Sequence, residues 1–359
     1  MLRVCHVSPT YFAPESVLGG GERFAEELSR AMAARAEVKL VSFGRRALRE
    51  RPAPRYERVI LRSWSRAPLS AALFRELAGA DVVHCHQYFV LPTFLAALAG
   101  RLRGSQVFVS DLGGGAWTPG YQIDQSRWIA AHLPISRYAA RALPGRNRRH
   151  RVIYGGVDLA RYPARAEPAH DGSVVFLGRL LPHKGVHLLI EGLPAGMTLH
   201  VIGSSQDGAY LAGLRELAAG KDVRFHLGLP DAEVLPYLQR AMTLVHPTPT
   251  APDGDAGAHE LFGLALVEAM ACGCPVVAAA AASLPEIVEH EASGLLVPPN
   301  DAAAIAAALR RLAGDPELWR RLSRGARARV EAEFTWERVV DRCLAAYAAY
   351  GSPAGRSAA

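Results

Sequence analysis

The chain has 359 residues, half of them hydrophobic and 21% charged, a mixture that excludes a disordered or fibrous protein and gives length enough for two hydrophobic cores. Five scattered cysteines without a CxxC pair suggest neither a disulfide framework nor a zinc site, and Cys272 and Cys274 read as small buried thiols. The net charge of +7 is unevenly divided: residues 1–165 hold 25 Lys and Arg against 12 Asp and Glu, a net +13, and the remainder holds 16 against 22, a net −6.

The N-terminus MLRVCHVSP reads as a polar-edged strand, so a secretory signal is not expected. No run of about eighteen uncharged apolar residues suggests a membrane span. The expectation is a cytoplasmic protein, at most peripheral at the inner face of a membrane. Along the first half, short apolar runs at 4–7, 38–43, 82–85 and 106–110 alternate with helical stretches such as 21–34, the pattern of βα repeats and a parallel sheet. Two arginine groups interrupt it: Arg45, Arg46, Arg49, Arg51, Arg55, Arg58, Arg62 and Arg66, then Arg146, Arg148, Arg149 and Arg151. They read either as loops that keep the protein in solution or as a surface for anionic lipid or a phosphate-bearing acceptor. Nucleic acid is not expected, because few aromatics interleave the arginines.

The segment 162–172, with two prolines and a final Asp-Gly, reads as a linker. The strand pattern then restarts at 173–177, 198–202, 223–226, 242–246 and 275–279. From Asp301 the chain turns helical, over 303–313 and 317–333, with Gly314, Asp315 and Pro316 as stop and start signals. The organisation expected is an α/β protein of two doubly wound domains, 1–165 and 166–335, followed by a helix at 336–350 that packs back on the first. Ligands of such sheets bind at the carboxyl ends of the strands, which favours a ligand between the domains.

Two stretches carry candidate chemistry. In GRLLPHKGVHLLIE, residues 178–191, a strand runs into Gly178 and Arg179, and Lys184 and Gly185 open the next helix. Gly178 allows close backbone approach; Arg179 can fork onto phosphate and Lys184 can meet it as a mobile point charge. The same pair also fits an ordinary surface. In HELFGLALVEAMACGCPVV, residues 259–277, Glu260 precedes a helix and Glu268 lies about two turns inside it. The free amides at Phe262, Gly263 and Leu264 suit phosphate oxygens. Taken alone, two glutamates eight apart read first as an exposed helix face.

Taken together, these stretches resemble the signature of the family 4 retaining glycosyltransferases of GT-B fold. Glu260 and Glu268 match the family's E-x7-E motif, and GGGERF at 19–24, DVVHCH at 81–86, VIYGGVDLARY at 152–162, His246-Pro247, LPEIVEHEASGLLVPPND at 284–301 and FTWERVV at 334–340 follow in the family's order. The resemblance implies a nucleotide diphosphate-sugar donor, with Arg179 and Lys184 stabilising the leaving diphosphate, Glu260 on the donor sugar and Glu268 on the ribose. Gly20 and Gly21 would approach the diphosphate, Gly203-Ser204 and the loop through Leu229 would flank the base, and Leu261 to Gly263 would offer amides. It also implies retention by same-face attack and no cofactor or divalent metal; the one DxD-like element is Asp253-Gly254-Asp255. The acceptor is expected to be a glycan or lipid-linked intermediate of surface polysaccharide synthesis.

The sequence departs from the family in two places. Where many relatives carry His-Gly after the fourth N-domain strand, this chain has VSDLGGGAW, so Asp111, Gly114 or His86 is expected on the acceptor side. Ala282-Ser283 replaces the family's Gly-Gly, though Glu286 remains. The first departure leaves a catalytically silent sugar-nucleotide-binding protein as an alternative to a transferase, and the architecture leaves a GT-B sugar-nucleotide epimerase as a second.

Overall fold

The computed structural model describes residues 1–11, 20–63, 70–112, 124–167, 169–250 and 260–351. The chain divides into two compact units, Met1–Gly156 with Trp336–Ala359, and Val157–Thr335, referred to below as unit 1 and unit 2. The division falls just after the paired glycines of VIYGGV. The stretch 162–172 belongs to unit 2, where the Arg165 amide bonds Cys272 O at 3.1 Å and the Asp171 amide bonds Arg240 O at 2.9 Å.

Unit 1 contains β1 (Arg3–Tyr11), β2 (Glu37–Gly44), β3 (Leu48–Ala53), β4 (Tyr56–Arg62), β5 (Val82–Cys85), β6 (Gln106–Val109) and β7 (Ala131–His132), in the order β3-β4-β2-β1-β5-β6-β7. All neighbours are parallel except β3, which lies antiparallel on β4 at the edge. The arginine-rich stretch expected as loop is therefore largely two strands. Part of its charge is matched within the sheet: Arg49 reaches Glu57 and Glu76, each at 2.6 Å, Lys39 reaches Glu76 at 3.1 Å, and Arg58 bonds Glu50 and lies 3.4 Å from Glu26. Burial alone would raise the Glu76 pKa, but the bonds from Arg49 and Lys39 outweigh it and hold the carboxyl below its usual range. The second arginine group does stand at the surface, with Arg146, Arg148, Arg149 and Arg151 exposed.

The last helix, Trp336–Tyr350, belongs to unit 1. Trp336 meets Phe24 edge to face at 5.4 Å, and a Cβ at Gly156 would lie 2.6 Å from the Trp336 ring, so only glycine fits there.

Unit 2 contains β8 (Val174–Leu177), β9 (Leu199–Gly203), β10 (Val223–Leu227), β11 (Thr243–His246), β12 (Val276–Ala279) and β13 (Gly294–Val297), all parallel, in the order β10-β9-β8-β11-β12-β13. Every residue of β11 and β12 is buried, as expected of central parallel strands covered on both faces. The helices Ala302–Gly314 and Pro316–Glu333 are capped by Asp301 and Asp315, whose side chains accept from the Ala304 and Leu318 amides. Trp319 fills the core and donates its indole N–H to Met242 O at 2.8 Å.

Counted as successive parallel strands, and with β3 set aside, both sheets run 3-2-1-4-5-6, the doubly wound order. The order reverses between β1 and β5 in unit 1 and between β8 and β11 in unit 2. Ligands of such sheets bind at these switch points, beyond the carboxyl ends of the strands. Among the described residues no helix is long and apolar enough to cross a membrane.

Candidate functional site

At the switch point of unit 2, β8 ends in Gly178-Arg179 and β11 ends in His246-Pro247. Backbone fit draws the surrounding loops together. The Leu180 amide bonds Ser204 O at 2.8 Å and the Gly228 amide bonds Gly203 O at 2.9 Å, so the loops after β8, β9 and β10 form one surface with Gly203-Ser204 in its middle and Leu229 at its border. A Cβ on Gly203 would lie 1.8 Å from Gly178 O, so glycine is obligatory for this approach.

Gly185 has the same function on the other side. Its φ is +72°, and a Cβ there would lie 2.1 Å from Pro247 O, so the short turn Pro182–Lys184 rests against the chain leaving β11. That contact brings Lys184 to Glu260. The two form a salt bridge through Oε2, with both side chains largely buried. The same oxygen lies 3.0 Å from His246 Nε2, and Thr248 Oγ1 lies 2.8 Å from His246 Nδ1. Burial opposes ionisation of Glu260, but Lys184 and His246 outweigh it and hold the carboxyl well below the usual carboxylate range. Glu260 is therefore an anion at any physiological pH. Arg179 is exposed at the end of β8. His183, next to Lys184, has its pKa lowered by burial first and then by the charges of Lys184 and Arg179.

The helix Leu264–Ala271 begins at Gly263, a left-handed residue at φ +99° that supplies no side-chain cap. Among the described residues no side chain caps its first amides, an arrangement that suits an anion. Glu268 is buried in its second turn, and Leu261 and Leu264 are half-buried. Phe262 turns inward, edge to face with Phe334 at 5.8 Å, so what it can offer a ligand is backbone. Ser283, one of the two residues replacing the family's glycine pair, holds this loop: its hydroxyl donates to Glu260 O at 2.8 Å and to Phe262 O at 3.2 Å. Its neighbour Ala282 is held at φ +51°, where glycine is at ease and alanine is strained. Cys272 and Cys274 are buried free thiols raised by burial to about 12 and about 11. His259, Asp253 and Asp255 lie outside the described residues.

Unit 1 has a different content at its switch point. His6 on β1 pairs in register with His84 on β5, and His86 follows; all three are buried. His6 Nδ1 lies 2.9 Å from His86 Nε2 with the rings only 16° apart in plane. His84 is held by Tyr347 at 2.7 Å and Ser110 at 2.8 Å. Burial lowers the His6 pKa to about 3 and takes His84 and His86 well below their usual value, so the trio is neutral. Its ligand atoms lie within 4.8 Å of one another, close enough for a metal ion, yet the nitrogens of His6 and His84 are spent on hydrogen bonds, and within the trio only His86 Nδ1 finds no partner among the described residues. His86 is thus part of a packed cluster. Asp111 is half-buried just beyond β6, and the adjoining Leu112 side chain lies 3.7 Å from the Cβ position of Gly21. Gly20 and Gly21 open the helix Gly20–Met32, so the structure brings these three expected residues to one end of the unit. Gly114 lies outside the described residues.

Sequence reasoning marked Arg179, Lys184 and Glu260 but gave no function to His246, Thr248 or Ser283. The spacing between His246 and Glu260 contains no periodicity that could reveal their contact.

Residues 18–161 match the family model described as Glycosyltransferase Family 4, and residues 163–329 match Glycosyl transferases group 1. The D-inositol 3-phosphate glycosyltransferase of Saccharomonospora viridis is 35% identical over 213 residues, covering 55% of this chain and 49% of that protein. The chain thus spans about half the length of this relative. The D-inositol 3-phosphate glycosyltransferase 1 of Catenulispora acidiphila is 30% identical over 324 residues, covering 77% of this chain and 74% of that protein. Among solved structures, HepE of Anabaena in complex with UDP and glucose superposes with a TM-score of 0.76 at 19% identity, over 97% of this chain and 100% of that one. At that identity the likeness speaks for the fold, two Rossmann-like domains of the GT-B type.

Proposed function

Because the chain belongs to the family 4 glycosyltransferases of the group 1 type, we propose that it moves a sugar from a nucleotide diphosphate-sugar onto an acceptor, with retention at the anomeric carbon. The observation that carries this reading is the buried pair of Lys184 and Glu260 at the switch point of unit 2, on the loop that also carries the exposed Arg179. Breaking the anomeric C–O bond leaves negative charge on the diphosphate and partial positive charge on the sugar. Preorganised cations and the free amides of the helix Leu264–Ala271 favour that transition state over the ground state. In this reading Arg179 and Lys184 hold the diphosphate, Glu260 the sugar, Glu268 the ribose, and the surface around Gly203 and Leu229 the base. No cofactor or divalent metal takes part, and the leaving phosphate assists removal of the acceptor proton.

For the acceptor, the reading is a glycan or lipid-linked intermediate of surface polysaccharide synthesis, handled by unit 1 with Asp111 as its polar group. The exposed arginines at 146, 148, 149 and 151 suit an anionic acceptor or an anionic membrane surface. A thermal-shift screen with UDP-, GDP- and ADP-sugars, followed by a transfer and hydrolysis assay with the best ligand, tests the proposal. Stabilisation by one donor and slow release of its sugar are expected. Absence of stabilisation by every donor would contradict it, and conversion of a donor into its epimer would favour an epimerase.

A further inference from the structure

Glu260 is held in an unusual way for a residue meant to touch a sugar. Among the described residues, both of its side-chain partners converge on one oxygen: Lys184 and His246 bond Oε2, and no bond is made to Oε1. The carboxylate has only lone pairs, so His246 Nε2 must carry the hydrogen in this contact. The other nitrogen is fixed by Thr248, which is buried beside it at 2.8 Å. His246 itself is the last residue of β11, one of the two strands that bound the switch point, and only 3% of it is exposed.

The two partners of Oε2 differ in what they can do next. Lys184 sits on a long flexible stem in a short turn and can move to a phosphate. His246 cannot follow, because its backbone is in the sheet and its ring is held on both sides. If Lys184 serves a diphosphate, as the donor reading requires, the donor competes with Glu260 for the ammonium and draws it away. A buried carboxylate left without its cation would then turn or take up a proton.

We propose that His246 is the positioning residue of the donor site: its Nε2–H anchors Glu260 through Oε2, so that Oε1 faces the donor's sugar hydroxyls while Lys184 moves from Glu260 to the diphosphate. Thr248 sets the imidazole for this task. The inference rests on the donor reading above and adds a residue and a division of labour to it.

The test is calorimetric titration of the full chain with UDP-glucose, GDP-mannose and ADP-glucose, and with UDP, GDP and ADP alone. With whichever donor the native chain prefers, His246→Leu raises Kd for the sugar nucleotide roughly tenfold or more, the size of a hydrogen bond to a charged group, and leaves the bare nucleotide within about twofold. His246→Gln, which keeps an N–H within reach, recovers part of the loss, and Thr248→Val shows a smaller loss of the same kind. In the Glu260→Gln background, His246→Leu adds little, because the two act as one unit. Equal weakening of sugar nucleotide and bare nucleotide, or no weakening, in variants that melt like the native chain would overturn the role of His246. If His246→Leu does not fold, Thr248→Val and His246→Gln decide the matter by the same ratio. A native chain that binds none of the three sugar nucleotides would instead remove the donor reading, and this inference with it.

Discussion

The two sheets share one strand order and hold opposite things at the point where that order reverses. In unit 1 the switch point is filled by His6, His84 and His86, buried, hydrogen-bonded and kept neutral by desolvation. In unit 2 the equivalent point holds a charged lysine and carboxylate, steadied by a histidine and flanked by glycines that admit close backbone approach. Topology thus decides where a ligand can bind, and side-chain chemistry decides which of two equivalent places is built for an anion. Neutral imidazoles packed in a core cannot offset the charge of a diphosphate; Lys184, Arg179 and free helix amides can.

The largest effect expected is on turnover. Lys184→Ala and Arg179→Ala should each lower it about a hundredfold or more, as loss of a preorganised transition-state contact does. Steady-state rates with the best donor check this, and near-native turnover in both variants would break the contrast between the two sites.

Acid should separate the two units. A histidine in the unfolded chain takes up a proton below about pH 6.5, whereas His6 and its neighbours resist it when folded. Their contribution to stability is full above that pH and is lost as pH falls toward their folded values; His132, lowered to about 4 by burial first and then by Arg148, adds in the same direction. Unit 1 should lose roughly 1–3 kcal/mol per pH unit below about pH 6. Glu260 has a depressed pKa, so the stability it contributes persists down to the usual carboxylate range and fades only below it. The lowered histidines of unit 2, His170, His183, His200 and His226, are only partly buried or exposed. Pulse proteolysis in urea at pH 7 and pH 5, with fragments assigned to each unit, should find unit 1 opening first; equal loss in both would remove the distinction.

How much of this was legible in sequence varied with the kind of signal. Continuous apolar runs such as those of β5, β11 and β12 announce buried parallel strands, and Asp301 and Asp315 announce helix starts. Strands β3 and β4 were missed because LRERPA and YERVILR are dominated by charge, and their arginines find Glu50, Glu57 and Glu76 only once the sheet is assembled. The two prolines and Asp-Gly of 162–172 marked a chain that turns, but a turning chain can still be anchored within a unit. The residues proposed to hold the donor were visible through local motifs, whereas the contact between His246 and Glu260 is a product of tertiary fit through Gly185 and Pro247.

The packing of unit 2 gives two smaller effects. Gly203→Ala places a methyl group 1.8 Å from Gly178 O and should cost about 2 kcal/mol of stability, read as a lower urea midpoint; an unchanged midpoint would mean the loops can part freely. Ala282→Gly relieves a left-handed alanine at the expense of unfolded-chain entropy. A gain of up to about 1 kcal/mol is expected, and a loss would show that the alanine methyl group has a packing function.

The central claim, that among the described residues the donor's diphosphate is held at the switch point of unit 2, is tested most directly by backbone hydrogen exchange of the full chain with and without its preferred sugar nucleotide. Protection is predicted in three segments of unit 2, at 178–185, 203–204 and 260–264. Binding that leaves those amides unchanged, or protects only the histidine-filled end of unit 1, would contradict the account.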